Sequence, residues 1–279
     1  MASRPPMSMW ISDSVYEKEH YCYLDDFQGR KFKTLLPSCV GRRYVGLTCG
    51  YLVMLSLKTH DYWLVNPITR HELYFPPIPY ISNLIPFRAI LVFSPSVSWW
   101  LFVLLERFSC IIWFSTVGKG AWNYVSSAFS IIDLHVFHGK IYALNNDWQL
   151  CEMRLSLDPK LTLLEIKNSP KELFSVSMLV SSDENLYLMG HSLKDPIQEL
   201  DFGKMKWVPP KEKTIREYAF FHGDAYMMCW TAIKLESWVV PRPQYNIYDC
   251  FVEKYQKGRF FSSRMWYFPH DCLDINLIN

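Results

Sequence analysis

The chain has 279 residues, half of them hydrophobic, with 11 Trp, 17 Tyr, 18 Phe and a formal net charge of +2. Such a small, balanced charge excludes an extended basic surface of the kind that binds nucleic acid or an anionic membrane. Aromatic side chains fit the pleated, half-buried surface of a sheet, so this composition predicts a β protein.

The eight cysteines are spread along the chain, and no CxxC pair occurs. Their spacing gives no support to a zinc ribbon or a dithiol redox site. The N-terminal residues contain no apolar run typical of a signal peptide, and no Asn-x-Ser/Thr acceptor is present. We therefore expect reduced, mostly buried thiols in a cytoplasmic or nuclear protein.

A short segment recurs along the chain. His138-Gly139-Lys140-Ile141-Tyr142 returns as His222-Gly223-Asp224-Ala225-Tyr226, and Asp183-Glu184-Asn185-Leu186-Tyr187 lies between them with the same order of turn, apolar residue and tyrosine. Upstream, Cys49-Gly50-Tyr51-Leu52-Val53 has the same pattern. A period of about 40–45 residues with several short strands per unit is typical of propeller blades.

The repeat predicts an all-β fold: a β-propeller of about six mostly antiparallel, four-stranded blades, within a range of five to seven. Residues 15–279 are assigned to this single domain and residues 1–14 to a short N-terminal extension. The tail Leu273–Ile278 alternates as a strand and is expected to close the ring by pairing with an N-terminal strand. The blades are placed near residues 15–40, 44–80, 88–127, 131–168, 174–210 and 217–266.

The first blade carries two groups of charges. Asp25-Asp26 resembles a general acid–base pair, but Phe27-Gln28-Gly29 follows and predicts a solvated hairpin turn. Five cations occur without an acid among residues 28–43, and they are interpreted as a solvated strand and loop surface, with a phosphate or acidic-partner site as the alternative. These cations are Arg30, Lys31, Lys33, Arg42 and Arg43.

Two turns and one apolar stretch follow. Asn66-Pro67 predicts a turn in which the Asn66 side chain bonds forward to the backbone, and Gly203 predicts a tight hairpin. Ala89 to Leu105 is uncharged, but Ser94-Pro95-Ser96 interrupts it, so we expect two buried strands rather than a membrane helix.

A search for catalytic signatures returns no nucleophile elbow, zinc helix or phosphate loop. Gly118-Lys119-Gly120 is read as a hairpin turn, and His135 and His138 as structural histidines rather than metal ligands. His270-Asp271-Cys272 holds three catalytic residue types, but neighbours on an extended chain point to opposite faces. We therefore predict no catalytic, cofactor-binding or metal-binding residues, and no enzymatic activity.

Several segments together resemble the plant F-box-associated KIB-type β-propeller, also called domain of unknown function 295. The likeness runs from about residue 15 to the end of the chain. The segments that carry it are Val45–Val53, Leu64–Arg70, Phe75–Ile78, Phe137–Leu144, Trp266–Cys272 and Asp274–Ile278.

The resemblance implies a propeller that holds a ubiquitination substrate, while an F-box of about 40–50 residues binds a Skp-type adaptor. Residues 1–14 are too few for such an F-box, so recruitment of the adaptor is not expected. The leading hypothesis is a non-enzymatic protein-interaction module with a protein partner and no cofactor. A shortened gene product without a settled role, and a small-ligand-binding or enzymatic propeller, stay open as alternatives.

Overall fold

The computed structural model describes residues 7–11, 20–26, 29–36, 39–79, 86–94, 98–106, 108–155, 159–168, 177–182, 184–190, 197–211, 218–222, 231–234, 259–262 and 265–267. Within these ranges the elements are β-strands and no α-helix is present, which confirms the predicted all-β class. In particular, no helix among the described residues is long and apolar enough to span a membrane. In chain order the strands are β1 (Met7–Ile11), β2 (His20–Asp25), β3 (Lys31–Leu36), β4 (Arg42–Thr48), β5 (Tyr51–Ser56), β6 (Tyr62–Val65), β7 (Glu72–Phe75), β8 (Pro86–Ser94), β9 (Trp99–Glu106), β10 (Ser109–Thr116), β11 (Trp122–Phe137), β12 (Lys140–Asn145), β13 (Leu150–Arg154), β14 (Lys160–Leu163), β15 (Ser177–Ser181), β16 (Leu186–Gly190), β17 (Gln198–Asp201), β18 (Lys206–Val208), β19 (Tyr218–His222), β20 (Thr231–Lys234), β21 (Arg259–Ser262) and β22 (Met265–Tyr267).

The first blade joins the two ends of the described chain. Its strand order is β22-β1-β2-β3, with Ser8 opposite Trp266 in the antiparallel pair β1–β22. Ring closure by a C-terminal strand was expected, but the strand observed is Met265–Tyr267, whereas the predicted strand at 273–278 lies outside the described residues. β1 also lies within residues 1–14, so part of the segment assigned to an extension belongs to this blade.

Blades two to five are four-stranded and antiparallel. The second is β4-β5-β6-β7 and the fifth is β15-β16-β17-β18. The third and fourth form one seven-stranded sheet because β11 belongs to both: Trp122 to Ser126 pair with β10, and Asp133 to Phe137 pair with β12. The register shift between these two halves marks the passage from the outermost strand of one blade to the innermost strand of the next.

The sixth sheet differs from the others. It has three described strands in the order β20-β19-β21, and β19 pairs with β21 in parallel. Six sheets or half-sheets in succession agree with the predicted count of about six blades.

Among the residues that the structure describes, the hydrophobic core forms four clusters, each shared by two consecutive blades. Trp63 and Leu24 belong to the cluster between blades one and two, and Phe102 and Phe75 to the one between two and three. The remaining clusters lie between blades three and four and between four and five. Each blade is therefore buried on the face that it presents to its neighbour, as expected of strands with buried residues on both sides.

The innermost strands of neighbouring blades run in the same direction. On β11 and β15, Asp133 contacts Leu179 and His135 contacts Ser181, a constant offset of 46 residues. On β4 and β8, Thr48 accepts a hydrogen bond from Leu91, and a Cβ on Gly46 would lie 3.5 Å from Ala89. Equivalent turns of successive blades therefore lie at the same end of the ring.

Candidate functional site

Asp133 is the centre of a buried polar network on the inner strands β8, β11 and β15. Its side chain is fully buried, and one oxygen accepts hydrogen bonds from the Arg88 guanidinium and from the backbone N–H of Leu134, the latter at 2.9 Å. The other oxygen accepts the backbone N–H of Leu179 at 2.7 Å. One carboxylate thus connects three consecutive blades.

His135 extends this network toward the fifth blade. Its Nε2 shares a hydrogen bond of 2.8 Å with Oγ of Ser181. Burial, and after it the nearby Arg88 guanidinium, lower the pKa of His135 to about 3. The ring is therefore neutral at neutral pH, because a buried imidazolium beside a cation is unfavourable.

This inner-strand network is suited to holding blades together. Asp133 and His135 direct their hydrogen bonds to adjoining strands, as expected of a satisfied structural network. Among the described residues, no group of three His, Cys, Asp or Glu side chains is placed to hold a metal ion. The network therefore connects the inner strands of three blades.

One end of the ring carries exposed aromatic side chains. This end, here called the turn face, bears the turns between the first and second strands and between the third and fourth strands of each blade. Alternating strand directions within a blade place both kinds of turn at one end. The turn face includes Cys49-Gly50 in blade two, residues 117–121 in blade three and His138-Gly139 in blade four.

In blade three the turn face presents a group that we call the Trp99 pad: Phe93, Trp99, Trp100 and Lys119. Phe93 and Trp99 are 42% and 49% exposed, and Phe93 meets Trp100 edge to face with ring centroids 5.8 Å apart. The Lys119 ammonium lies 5.4 Å from the centroid of the Trp99 ring, within the range of a cation–π contact. The buried indole N–H of Trp100 has no hydrogen-bond partner.

The local sequence explains why the Trp99 pad has this shape. Gly118 and Gly120 both have positive φ, which lets the chain turn tightly on each side of Lys119. The backbone N–H of Val117 donates to the Trp100 carbonyl at 3.0 Å, and so the turn is tied to β9. The glycine turn and this hydrogen bond together place Lys119 next to the Trp99 indole ring.

A second aromatic group, the Phe137 cluster, lies on the turn face at blades four and five. Phe202, in the turn after β17, stacks on Phe137 with ring centroids 5.7 Å apart, and Tyr142 lies 6.0 Å from Phe202. His138, at the tip of the β11–β12 turn, stacks on Phe137 at 3.9 Å. Phe137 and Tyr142 are themselves buried, so the cluster contributes Phe202, which is 38% exposed, and His138 to the turn face.

An open groove of about 460 Å³ lies at the opposite end of the ring, beside the fourth blade. It is lined by Gln149 and residues 163–168. The backbone of Lys167 pairs with the fifth blade, accepting from Trp207 at 3.2 Å and donating to Met205 at 2.9 Å. The segment along the groove thus serves as a bridge between two blades.

Comparison with protein families gives one match. The model described as KIB1-4 beta-propeller matches residues 23–241, which is more than half of the chain. The chain belongs to the KIB1-4 β-propeller family. The family resemblance inferred from the sequence is confirmed.

Solved structures resemble the KIB1-4 propeller only in outline. Apo AztD from Citrobacter koseri is 12% identical with a TM-score of 0.43, the match covering 67% of this chain and 51% of that chain. The WD40 domain of SCAP from fission yeast is 12% identical with a TM-score of 0.44, over 80% of this chain and 58% of that chain. The chain thus spans just over half the length of these structures, and no curated protein matches it.

The five cations predicted to lie together in the KIB1-4 propeller have separate surroundings. Arg30 pairs with Asp26 at 2.6 Å and Arg42 with Asp61 at 2.7 Å. The Lys33 ammonium lies 3.6 Å from the centroid of the Tyr21 ring. Lys31 is on β3 and Arg43 on β4, so the cluster is divided between two blades.

The turns predicted in the propeller are present. Asp26 caps the β2–β3 turn by accepting the backbone N–H of Arg30 at 2.8 Å, so the predicted hairpin is present, although the Asp26 side chain is only 7% exposed rather than solvated. Gly118-Lys119-Gly120 forms the β10–β11 turn, and the β17–β18 turn contains Gly203. The Asn66 side chain accepts the backbone N–H groups of Ile68 and Thr69, both at 2.9 Å, which confirms the predicted forward bond.

The thiols and histidines that the structure describes have different surroundings. Burial raises the pKa of Cys22 and Cys39 to about 12 and that of Cys151 to about 11, whereas Cys110 is exposed. His138 lies at a turn tip as predicted, and His135 bonds to a hydroxyl group. The segments 89–94 and 99–105 are strands, as expected, whereas His270-Asp271-Cys272 lies outside the described residues.

The sequence reasoning did not single out the Trp99 pad or Asp133. A usable signal for Asp133 was present, since a lone carboxylate within Ile131-Ile132-Asp133-Leu134 must be buried and paired if the strand is buried. For the Trp99 pad the signal was weak, because an aromatic residue in an apolar run is usually core. Trp99 is the first residue of β9 and is 49% exposed, which the apolar run did not indicate.

Proposed function

We propose that this chain is a non-enzymatic protein-interaction module that binds a protein partner through its turn face. The observation that carries the proposal is a set of exposed aromatic side chains at one end of the ring: Phe93 and Trp99 of the Trp99 pad, and Phe202 of the Phe137 cluster. Rigid aromatic side chains lose little conformational entropy on binding, and they are enriched where proteins meet. The partner would be held as a ubiquitination substrate is held by the propeller of a plant F-box receptor.

Two features support a module rather than a catalyst. The polar groups that the fold brings together, around Asp133, are buried and bonded to neighbouring blades. The exposed rings of the turn face, Phe93, Trp99 and Phe202, offer contact surface and carry no group suited to proton transfer. The buried, high-pKa thiols support a reducing cytoplasmic or nuclear compartment as the place where the module acts.

Site-specific photocrosslinking tests the proposal. A photoreactive phenylalanine analogue is introduced in turn at Trp99, at Phe202, and at two exposed control positions. The controls are Leu57, at the opposite end of the ring, and Tyr124, on the outermost strand of blade three. Crosslinking in plant-cell extract is followed by mass spectrometry of the products.

The expected result is one shared partner protein that crosslinks from Trp99 and Phe202 but from neither control. Crosslinks only from Leu57 or Tyr124 would contradict the assignment to the turn face. The absence of a crosslinked protein at every position would contradict the interaction module itself. Thermal-shift screening with metals, nucleotides and sugars covers the alternative of a small-ligand site, because a ligand that binds the native state raises its melting temperature.

A separate experiment tests whether the chain binds the Skp-type adaptor of a ubiquitin ligase. We propose that the propeller does not itself bind the Skp-type adaptor, because F-boxes are helical and the described strands offer no helix for docking. Purified chain and adaptor should elute separately from a sizing column. Co-elution would show that a surface of this chain recruits the ligase.

A further inference from the structure

The Trp99 pad combines an exposed apolar surface with an exposed cation. Lys119 is held at the turn tip between two glycines with positive φ, and among the described residues no carboxylate forms an ion pair with it. Two other lysines on the turn face are neutralised, since Lys140 pairs with Glu152 at 3.0 Å and Lys204 with Asp201 at 3.3 Å. Lys119 has an aromatic ring where these two lysines have an acid.

We propose that the Trp99 pad binds a protein segment in which an acidic side chain stands next to a large apolar side chain. The proposal rests on the proposed function and names the chemistry of the partner. The carboxylate would bond to the Lys119 ammonium, and the apolar side chain would cover Phe93 and Trp99. Charge complementarity selects the acidic residue, and the exposed rings select its apolar neighbour.

The geometry favours such a segment over a sugar. A sugar ring would stack on the open face of an indole, but the Lys119 ammonium already stands over the Trp99 ring. Phe93 offers no hydrogen-bonding group to hydroxyls. An anion attached to an apolar group matches both parts of the pad.

The pad is also preorganised, which strengthens binding because little conformational freedom is lost. The turn that carries Lys119 is held by its own bond from the Lys119 N–H to the Thr116 carbonyl at 3.1 Å. The Ser115 hydroxyl donates to the Ala121 carbonyl at 2.8 Å. Neither contact involves the Lys119 side chain, so the ammonium group is not needed to hold the turn.

Selection from a displayed random-peptide library tests this inference on the full chain. The expected result is enrichment of peptides with Asp or Glu adjacent to Trp, Phe, Leu or Met. Binding of a selected peptide should weaken by about tenfold or more in Lys119→Glu and in Trp99→Ala, and should be retained in Lys119→Arg. Lys58→Glu, an exposed lysine in a turn at the opposite end of the ring, is the matched control and should change nothing.

Two outcomes would overturn the inference. One is enrichment of peptides without an acidic residue, and the other is binding that Lys119→Glu and Lys58→Glu affect equally. Either result leaves the proposed function intact if Trp99 and Phe202 still crosslink to one partner. A complete absence of crosslinked partner, with or without selected peptides, would count against the proposed function.

Discussion

Two regions of the molecule place charged groups in opposite surroundings. One is the inner-strand network around Asp133, and the other is the Trp99 pad. Asp133 is buried and accepts three hydrogen bonds from three strands. Lys119 is exposed, has no carboxylate partner among the described residues, and lies against an aromatic ring. The first arrangement satisfies its charge inside the protein, whereas the second leaves its charge for another molecule.

This difference separates two kinds of charged group in neighbouring blades. The Trp99 pad belongs to blade three, and Asp133 lies on the inner strand of blade four. Burial with complete pairing makes a polar group a contributor to stability, while exposure beside apolar surface makes it a candidate for recognition. Substitutions in the two regions should therefore act on different measurements.

The largest effect is expected from Asp133→Ala. Removing the carboxylate takes away the Asp133 partner of the buried Arg88 guanidinium and the side-chain acceptor of two backbone N–H groups. Loss of one partner of a buried ion pair lowers the free energy of unfolding by about 3–5 kcal/mol. Urea unfolding measures this change.

Glu152→Ala is the matched control for Asp133→Ala. Glu152 also has two cationic partners, Lys140 and Arg154, but both are largely exposed. Surface ion pairs contribute about 0–1 kcal/mol, so this variant should be close to wild type. Equal losses in the two variants would break the comparison between buried and exposed charges.

Asn66→Ala sharpens the comparison because Asn66 lies at a turn of the turn face yet is fully buried. The substitution removes the acceptor of the Ile68 and Thr69 backbone N–H groups, so we expect a loss of about 1–2 kcal/mol in the free energy of unfolding. Asn123→Ala, on the exposed outermost strand, should cost less than about 0.5 kcal/mol. A neutral Asn66→Ala variant would mean that position on the turn face, rather than burial, decides the effect.

The pH dependence of stability tests His135. Its pKa is lowered in the folded state, so as pH falls below about 6.5 the unfolded chain takes up a proton that the folded chain does not. Stability is therefore expected to fall between pH 6.5 and about 3, by roughly 1 kcal/mol at pH 5, since the partly exposed ring keeps some solvation.

His135→Gln provides the control for this pH effect. Glutamine can keep a hydrogen bond to Ser181 but does not titrate. The difference in unfolding free energy between pH 7 and pH 5 should be smaller in this variant than in wild type. Identical differences would show that other groups account for the acid sensitivity.

The sequence predicted the fold better than the site, for a physical reason. Turn residues and apolar strands recur along the chain, so the blade placed at 44–80 contains β4 to β7, which run from Arg42 to Phe75. Closure of the ring was harder to predict, because β1 and β22 are short and are separated by almost the whole chain. No local pattern indicates which distant strands pair.

The candidate site depends on which aromatic residues the turns expose. Trp63 and Trp99 look alike in sequence, each beside other apolar residues, but Trp63 is fully buried and Trp99 is half exposed. Trp63 lies in the middle of blade two and packs against blade one, whereas Trp99 begins β9 at the rim. Exposure is therefore a property of the assembled ring, and the sequence alone did not reveal it.

The smallest effect on stability is expected from the variants that should abolish binding. Trp99→Ala and Lys119→Glu alter exposed side chains, so the free energy of unfolding should change by less than about 0.5 kcal/mol in either variant. Their effect should appear in crosslinking and peptide binding, whereas Asp133→Ala should affect unfolding first. A loss of more than about 2 kcal/mol in Trp99→Ala would show that the pad is part of the blade core. In that case the Trp99 pad would serve to stabilise the fold. The Phe137 cluster would then be the part of the turn face available for recognition.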